Sequence, residues 1–136
     1  MQAQYYELYR GELPSCFSDY TIQDSLEEVC QQNWKTNAEW QECNGNSLNF
    51  WKSEVNKQYA LLLVLADSTL IVSIKDYQLK WESNLDVQNS LFFEIYKAKP
   101  DFFGREDYMS YGGTIAANYR KHAFDLKMLV YYLKKD

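Results

Sequence analysis

Glycine, proline and histidine are scarce in this chain. Its 136 residues include five glycines, two prolines and one histidine. So few turn formers argue against a turn-rich all-β chain, a collagen or a flexible linker. Nucleophilic chemistry of the Ser/His/Asp or Cys/His kind would rest on His122 alone, so no catalytic residue is assigned. Basic residues are in deficit, with 14 Lys and Arg against 19 Asp and Glu and a formal charge of -5. Such a balance repels nucleic acid and attracts a basic partner. Long apolar runs are missing as well. The longest, Tyr59 to Ala66, falls far short of the roughly 20 residues that span a bilayer. The start, Met1-Gln2-Ala3-Gln4, shows neither a basic nor an apolar leader segment. Two readings of that start stay open, a cytoplasmic protein or a mature domain carrying an added start Met.

Cysteine is rare too, with Cys16, Cys30 and Cys43. An odd number allows at most one intrachain pair. Three buried thiols in a reducing compartment and one bridge in an oxidising one both remain possible. There is no close Cys-x-x-Cys, and His122 is remote, so neither a metal nor a cofactor is expected.

What is present is apolar periodicity. The 46% apolar content suffices for one core. Leu48, Trp51, Val55, Tyr59, Leu62 and Ala66 lie on one helical face. Leu70, Ile74, Tyr77, Trp81, Leu85, Phe92 and Ile95 form a second stripe, stopped by Pro100. Ile115, Tyr119, His122, Leu126, Leu129 and Leu133 form a third. The stripes predict an all-α fold, a small bundle of three long amphipathic helices preceded by short N-terminal ones. Residues 1–20 read as an irregular extension and 21–136 as a single helical domain. A first helix is expected from Thr21, with Leu26, Val29 and Trp34 on its inner face. Thr36-Asn37-Ala38-Glu39 fits a capping box that opens a short helix to about Cys43. Asn44-Gly45-Asn46 is expected to end it.

Few residues invite chemistry. His122 falls on an apolar stripe and reads as a core-edge histidine. The carboxylate pairs Glu27/Glu28 and Glu106/Asp107 read as solvated charge. Gly112-Gly113 lacks the spacing of a phosphate loop and reads as a turn before the last helix. The segment 101–113 has no strong period and carries aromatic, Met, Arg and acidic residues. Such residues suit a recognition surface, so Asp101, Arg105, Glu106, Asp107, Tyr108 and Tyr111 are the candidate partner contacts.

Several segments together resemble the LprI-type lysozyme inhibitors, small secreted bacterial proteins. The resemblance rests on Cys30, Thr36-x-Ala38-Glu39, Cys43, Val55-Asn56 and Tyr59 in the first half. In the second half it rests on Gln78-x-x-Trp81, Asp86 and Gly112-Gly113-Thr114. It covers about residues 28–133. Where many members carry a second cysteine pair, this chain has Asn89 and, near the other position, Ala123. Leu85 stands where an Arg is usual, and Cys16 lies outside the match. The resemblance implies a Cys30–Cys43 disulfide, hence a periplasmic or secreted location. Closing that loop would contribute about 3 kcal/mol. It also implies a non-enzymatic binding protein whose partner is a lysozyme-like hydrolase. An immunity protein against a secreted toxin and a non-inhibitory envelope protein are the alternatives.

Overall fold

The computed structural model describes residues 13–99 and 105–135. A 3-10 turn, Ser15–Phe17, leads into α1 (Ser18–Asn33), α2 (Asn37–Leu65), α3 (Ser68–Ala98) and α4 (Arg105–Lys134). No strand occurs among the described residues, so the fold is an all-α bundle.

The helix starts follow side-chain chemistry. The Thr36 hydroxyl accepts from the Glu39 amide, and the Glu39 carboxylate accepts from the Lys35 amide. The Thr36 bond satisfies a donor that the first turn of α2 leaves open, while Glu39 reaches one residue past the N-cap, to Lys35, instead of to the Thr36 amide that a capping box would engage. Asp67 caps α3 by accepting from the Leu70 amide at 2.8 Å.

Two boundaries differ from the sequence reading. Helix α1 begins at Ser18 rather than Thr21, and Phe17 and Tyr20 are core residues rather than part of an irregular extension. Residues 1–12 lie outside the described part. The expected break at Asn44-Gly45-Asn46 is absent, and α2 runs through it. Packing overrides propensity there, because Asn44 is buried against α4. Gly45 is exposed, and a Cβ built on it would meet nothing within 4 Å. Gly45→Ala is therefore expected to raise stability by about 1 kcal/mol, read as a later urea midpoint.

Helices α2 and α4 form a parallel central pair. Asn44 faces Gly113, the Arg120 guanidinium lies over Trp51, and Leu61 shares a cleft with Tyr131. Small residues on α4 permit the close approach. A Cβ on Gly113 would lie 3.4 Å from the Asn44 side-chain oxygen, and Ala116 and Ala123 are buried further along. Gly112 and Gly113 are thus helical, not a turn. Helix α1 runs antiparallel to α2, with Tyr20 near Trp51 and Cys30 joined to Cys43. Helix α3 runs antiparallel to α4, with Gln78 on His122, Trp81 on Tyr119 and Asn89 on Tyr111. By this register Ala123 lies about 18 Å along α4 from the residue that faces Asn89. Asn89 and Ala123 are therefore not neighbours in this fold.

The core gathers where α1, α2 and α4 meet, around Phe17, Tyr20, Trp51, Val55, Leu62 and Phe124. Tyr20 packs edge-on to Trp51 at 5.0 Å, a favoured aromatic geometry. Helix α3 contributes less, since only Gln78 and Leu85 are buried on it.

Candidate functional site

Among the described residues, polar side chains converge between α1, α2 and α4. Tyr20, Asp24, Glu27 and Gln31 recur along the face of α1 that meets the bundle. Asp24 receives a fork of two bonds from Arg120, Nε at 2.7 Å and Nη2 at 2.5 Å. Arg120 is 7% exposed and lies with its guanidinium 4.4 Å from the Phe124 ring centroid. The planar guanidinium suits both contacts at once, which an ammonium would not. One turn on, the Glu27 carboxylate accepts from the Trp51 indole at 2.9 and 3.1 Å and from the Ser47 hydroxyl. Gln31 donates to Asn44 at 3.1 Å.

These groups line a cleft of about 370 Å³, with Glu28 among its lining residues. Burial pushes the Glu27 carboxyl above the usual range, with Asp24 adding to the rise, while the Trp51 bond and Arg120 oppose it. The network fixes how α1 is rotated, because a charge pair and two hydrogen-bonded pairs must all register. The disulfide between Cys30 and Cys43 fastens the far end of α1 to α2. A second depression of about 400 Å³ lies beside the bridge and is lined by Val29, Trp34, Glu39 and Glu42. Trp34 and Trp40 stack at 5.0 Å across the turn between α1 and α2.

The residues singled out from sequence fall as follows. Asp101 and the side chains of Arg105, Glu106 and Tyr108 lie outside the described part. Residues 105–113, expected as a loop, are the first turns of α4. Asp107 is exposed there. Tyr111 is half-buried. Its ring stacks on Phe92 at 3.7 Å, and its hydroxyl bonds Asn89 at 2.5 Å. Leu26 and Val29, expected on the inner face of α1, are exposed, and Trp34 is half-buried. Cys16 is a free, exposed cysteine. Among the described residues no group of three His, Cys, Asp or Glu is placed to hold a metal ion.

His122 is buried between α3 and α4. Its ring stacks on Trp81 at 3.9 Å, and Nε2 lies 2.7 Å from the Gln78 side-chain oxygen. The Gln78 amide nitrogen donates to Glu82, so its oxygen is the acceptor and Nε2 carries the proton. Burial pushes the His122 pKa down to about 4. An unfolded His, near 6.5, binds its proton at higher pH than the folded one. Folding is therefore opposed as pH falls from about 6.5 toward 4, by up to about 3 kcal/mol from this group. Glu27 and Asp125 are raised by burial and act in the opposite sense, favouring the folded state on the acid side. His122→Gln is expected to lose the part of the acid destabilisation between pH 6.5 and 4, measured by urea unfolding across that range.

The site as it stands is an acidic, partly apolar corner held by a polar network. Residues 18–46 carry six carboxylates and one base, Lys35. Sequence reasoning passed over Asp24 and Arg120 because 96 residues separate them. The available signal was Arg120 lying among Ala116, Ala123 and Phe124 on α4. The chain matches no protein-family model, no curated protein and no solved structure.

Proposed function

We propose that this chain is an extracytoplasmic binding protein that occludes a cell-wall hydrolase of the lysozyme kind. The carrying observation is the Cys30–Cys43 bridge, which lies where the LprI-type resemblance expects it. Structural disulfides persist in oxidising compartments, so the bridge is compatible with a protein outside the cytoplasm. No helix among the described residues is long and apolar enough to cross a membrane. The acidic corner supports the choice of a basic partner, because complementary charge speeds encounter and rejects wrong partners. In this reading the bundle acts as a rigid plug. Its carboxylates pair with cations around the hydrolase cleft, and its bulk keeps the polysaccharide out.

The test is a lytic assay with the purified, oxidised protein against several lysozyme types. Inhibition at micromolar concentration is expected. No inhibition of any of them at that concentration removes the reading. A companion measurement is the non-reduced mass of the protein from its native compartment, with thiol counting. One free thiol, Cys16, is expected, whereas three free thiols contradict export.

A further inference from the structure

Helix α1 is built inside out. On its inward face Asp24 and Glu27 are polar and half-buried, and Gln31, exposed near the end of the helix, bonds Asn44. Its outward residues Ile22, Leu26 and Val29 are 59%, 61% and 57% exposed. Their spacing of four and three places them on one stripe. Isolated exposed apolar residues are ordinary on a surface. A stripe opposite a polar inner face is the reverse of what burial in the bundle would produce. Rotation of α1 would hide the stripe, yet the Asp24–Arg120 pair, the Glu27–Trp51 bonds and the disulfide all hold it outward.

Charge frames the stripe. On one side lies Glu28, exposed at the rim of the cleft whose inner walls carry Asp24 and Glu27 in their bonds to Arg120 and Trp51. On the other lies the depression beside the disulfide with Glu39 and Glu42. We propose that the outer face of α1 is a docking surface whose occupant is a basic protein surface, an apolar ridge with Lys or Arg side chains on both flanks. The ridge covers Ile22, Leu26 and Val29, and the cations meet the exposed carboxylates of Glu28 on one flank and Glu42 on the other. The proposal rests on the binding-protein reading above and names the surface it uses. A second copy of this chain fits poorly, because twofold pairing sets the same carboxylates against one another.

The test is a titration of isotope-labelled protein with an amphipathic helical peptide of leucine and lysine, followed by amide chemical shifts. Shifts confined to residues 19–34 and 39–46 are expected, with binding that weakens as salt rises. Leu26→Gln, which keeps the fold because the residue is exposed, is expected to weaken binding roughly tenfold. Absence of binding, shifts on other helices, or unchanged affinity in this variant overturns the proposal. Concentration-dependent dimerisation of the wild type that Leu26→Gln abolishes assigns the face to a second copy and overturns the stated occupant. The lytic assay separates the two readings. Peptide bound at α1 by a protein that inhibits no lysozyme removes the hydrolase and keeps the surface. Lysozyme inhibition that Leu26→Gln leaves unchanged removes the surface and keeps the inhibitor.

Discussion

Trp51→Ala lowers stability by about 4 kcal/mol, the expected result of removing the largest fully buried side chain in the bundle. The indole is the hub of the core. It meets Tyr20 at 5.0 Å, Phe50 at 4.8 Å and Phe124 at 6.0 Å. Its loss opens a cavity among rings that belong to three helices, so collapse around it is limited. A second contribution comes from Glu27, which loses the indole donor while it stays half-buried. For a domain whose net stability is about 5–15 kcal/mol, such a loss is a large share. Trp51→Phe keeps most of the packing and removes the donor, so about 2 kcal/mol is expected. The check is the urea midpoint, with an unchanged slope confirming that the unfolded state is the same. A Trp51→Ala midpoint within error of the parent would place the core elsewhere.

Arg120→Met gives the second large effect, a loss of about 3 kcal/mol near neutral pH. Its guanidinium side is 8% exposed and the Asp24 side 26% exposed, so removing the cation strands a carboxylate with limited access to water. Methionine keeps the bulk against Phe124, which isolates the electrostatic part. Asp24→Asn alone is expected to lose less, because the amide oxygen still accepts from Arg120, and the double variant is expected to lose less than Arg120→Met alone, because it strands no carboxylate. The interaction between the two is then the excess over additivity in a double-mutant cycle. The pH dependence has a definite sign. Arg120 holds the Glu27 carboxyl down, so without it that group rises further in the folded state. A raised folded pKa favours the folded state below the carboxylate range, so the deficit of Arg120→Met shrinks as pH falls toward 4. Strict additivity with Asp24→Asn would deny the coupling.

The central architecture was legible in apolar spacing. Trp51, Val55 and Leu62 on α2 and His122 and Leu126 on α4 are buried as their periods require. The cap at Thr36 was legible because a capping box is written in neighbouring residues. Helix α1 was not, since an apolar stripe carries no sign of which way it faces. Leu26 and Val29 look like core residues until Asp24 finds Arg120 across the fold. The continuity of α2 through Asn44-Gly45-Asn46 was hidden for the same reason. Asn44 favours a turn locally, but its burial against Gly113 and its bond from Gln31 favour the helix. Of the candidate contacts in 101–113, Tyr111 already stacks on Phe92. Composition marks a sticky segment but does not say whether a neighbour in the same chain has already claimed it.

The unequal seating of α3 has a kinetic meaning. That helix keeps few buried side chains and leaves Val72, Leu79, Val87 and Leu91 exposed, while α1, α2 and α4 share one aromatic centre. Native-state hydrogen exchange should therefore resolve two tiers. Amides of α3 open in a sub-global step well below the free energy of complete unfolding, and amides around Trp51 and Leu126 wait for the whole bundle to come apart.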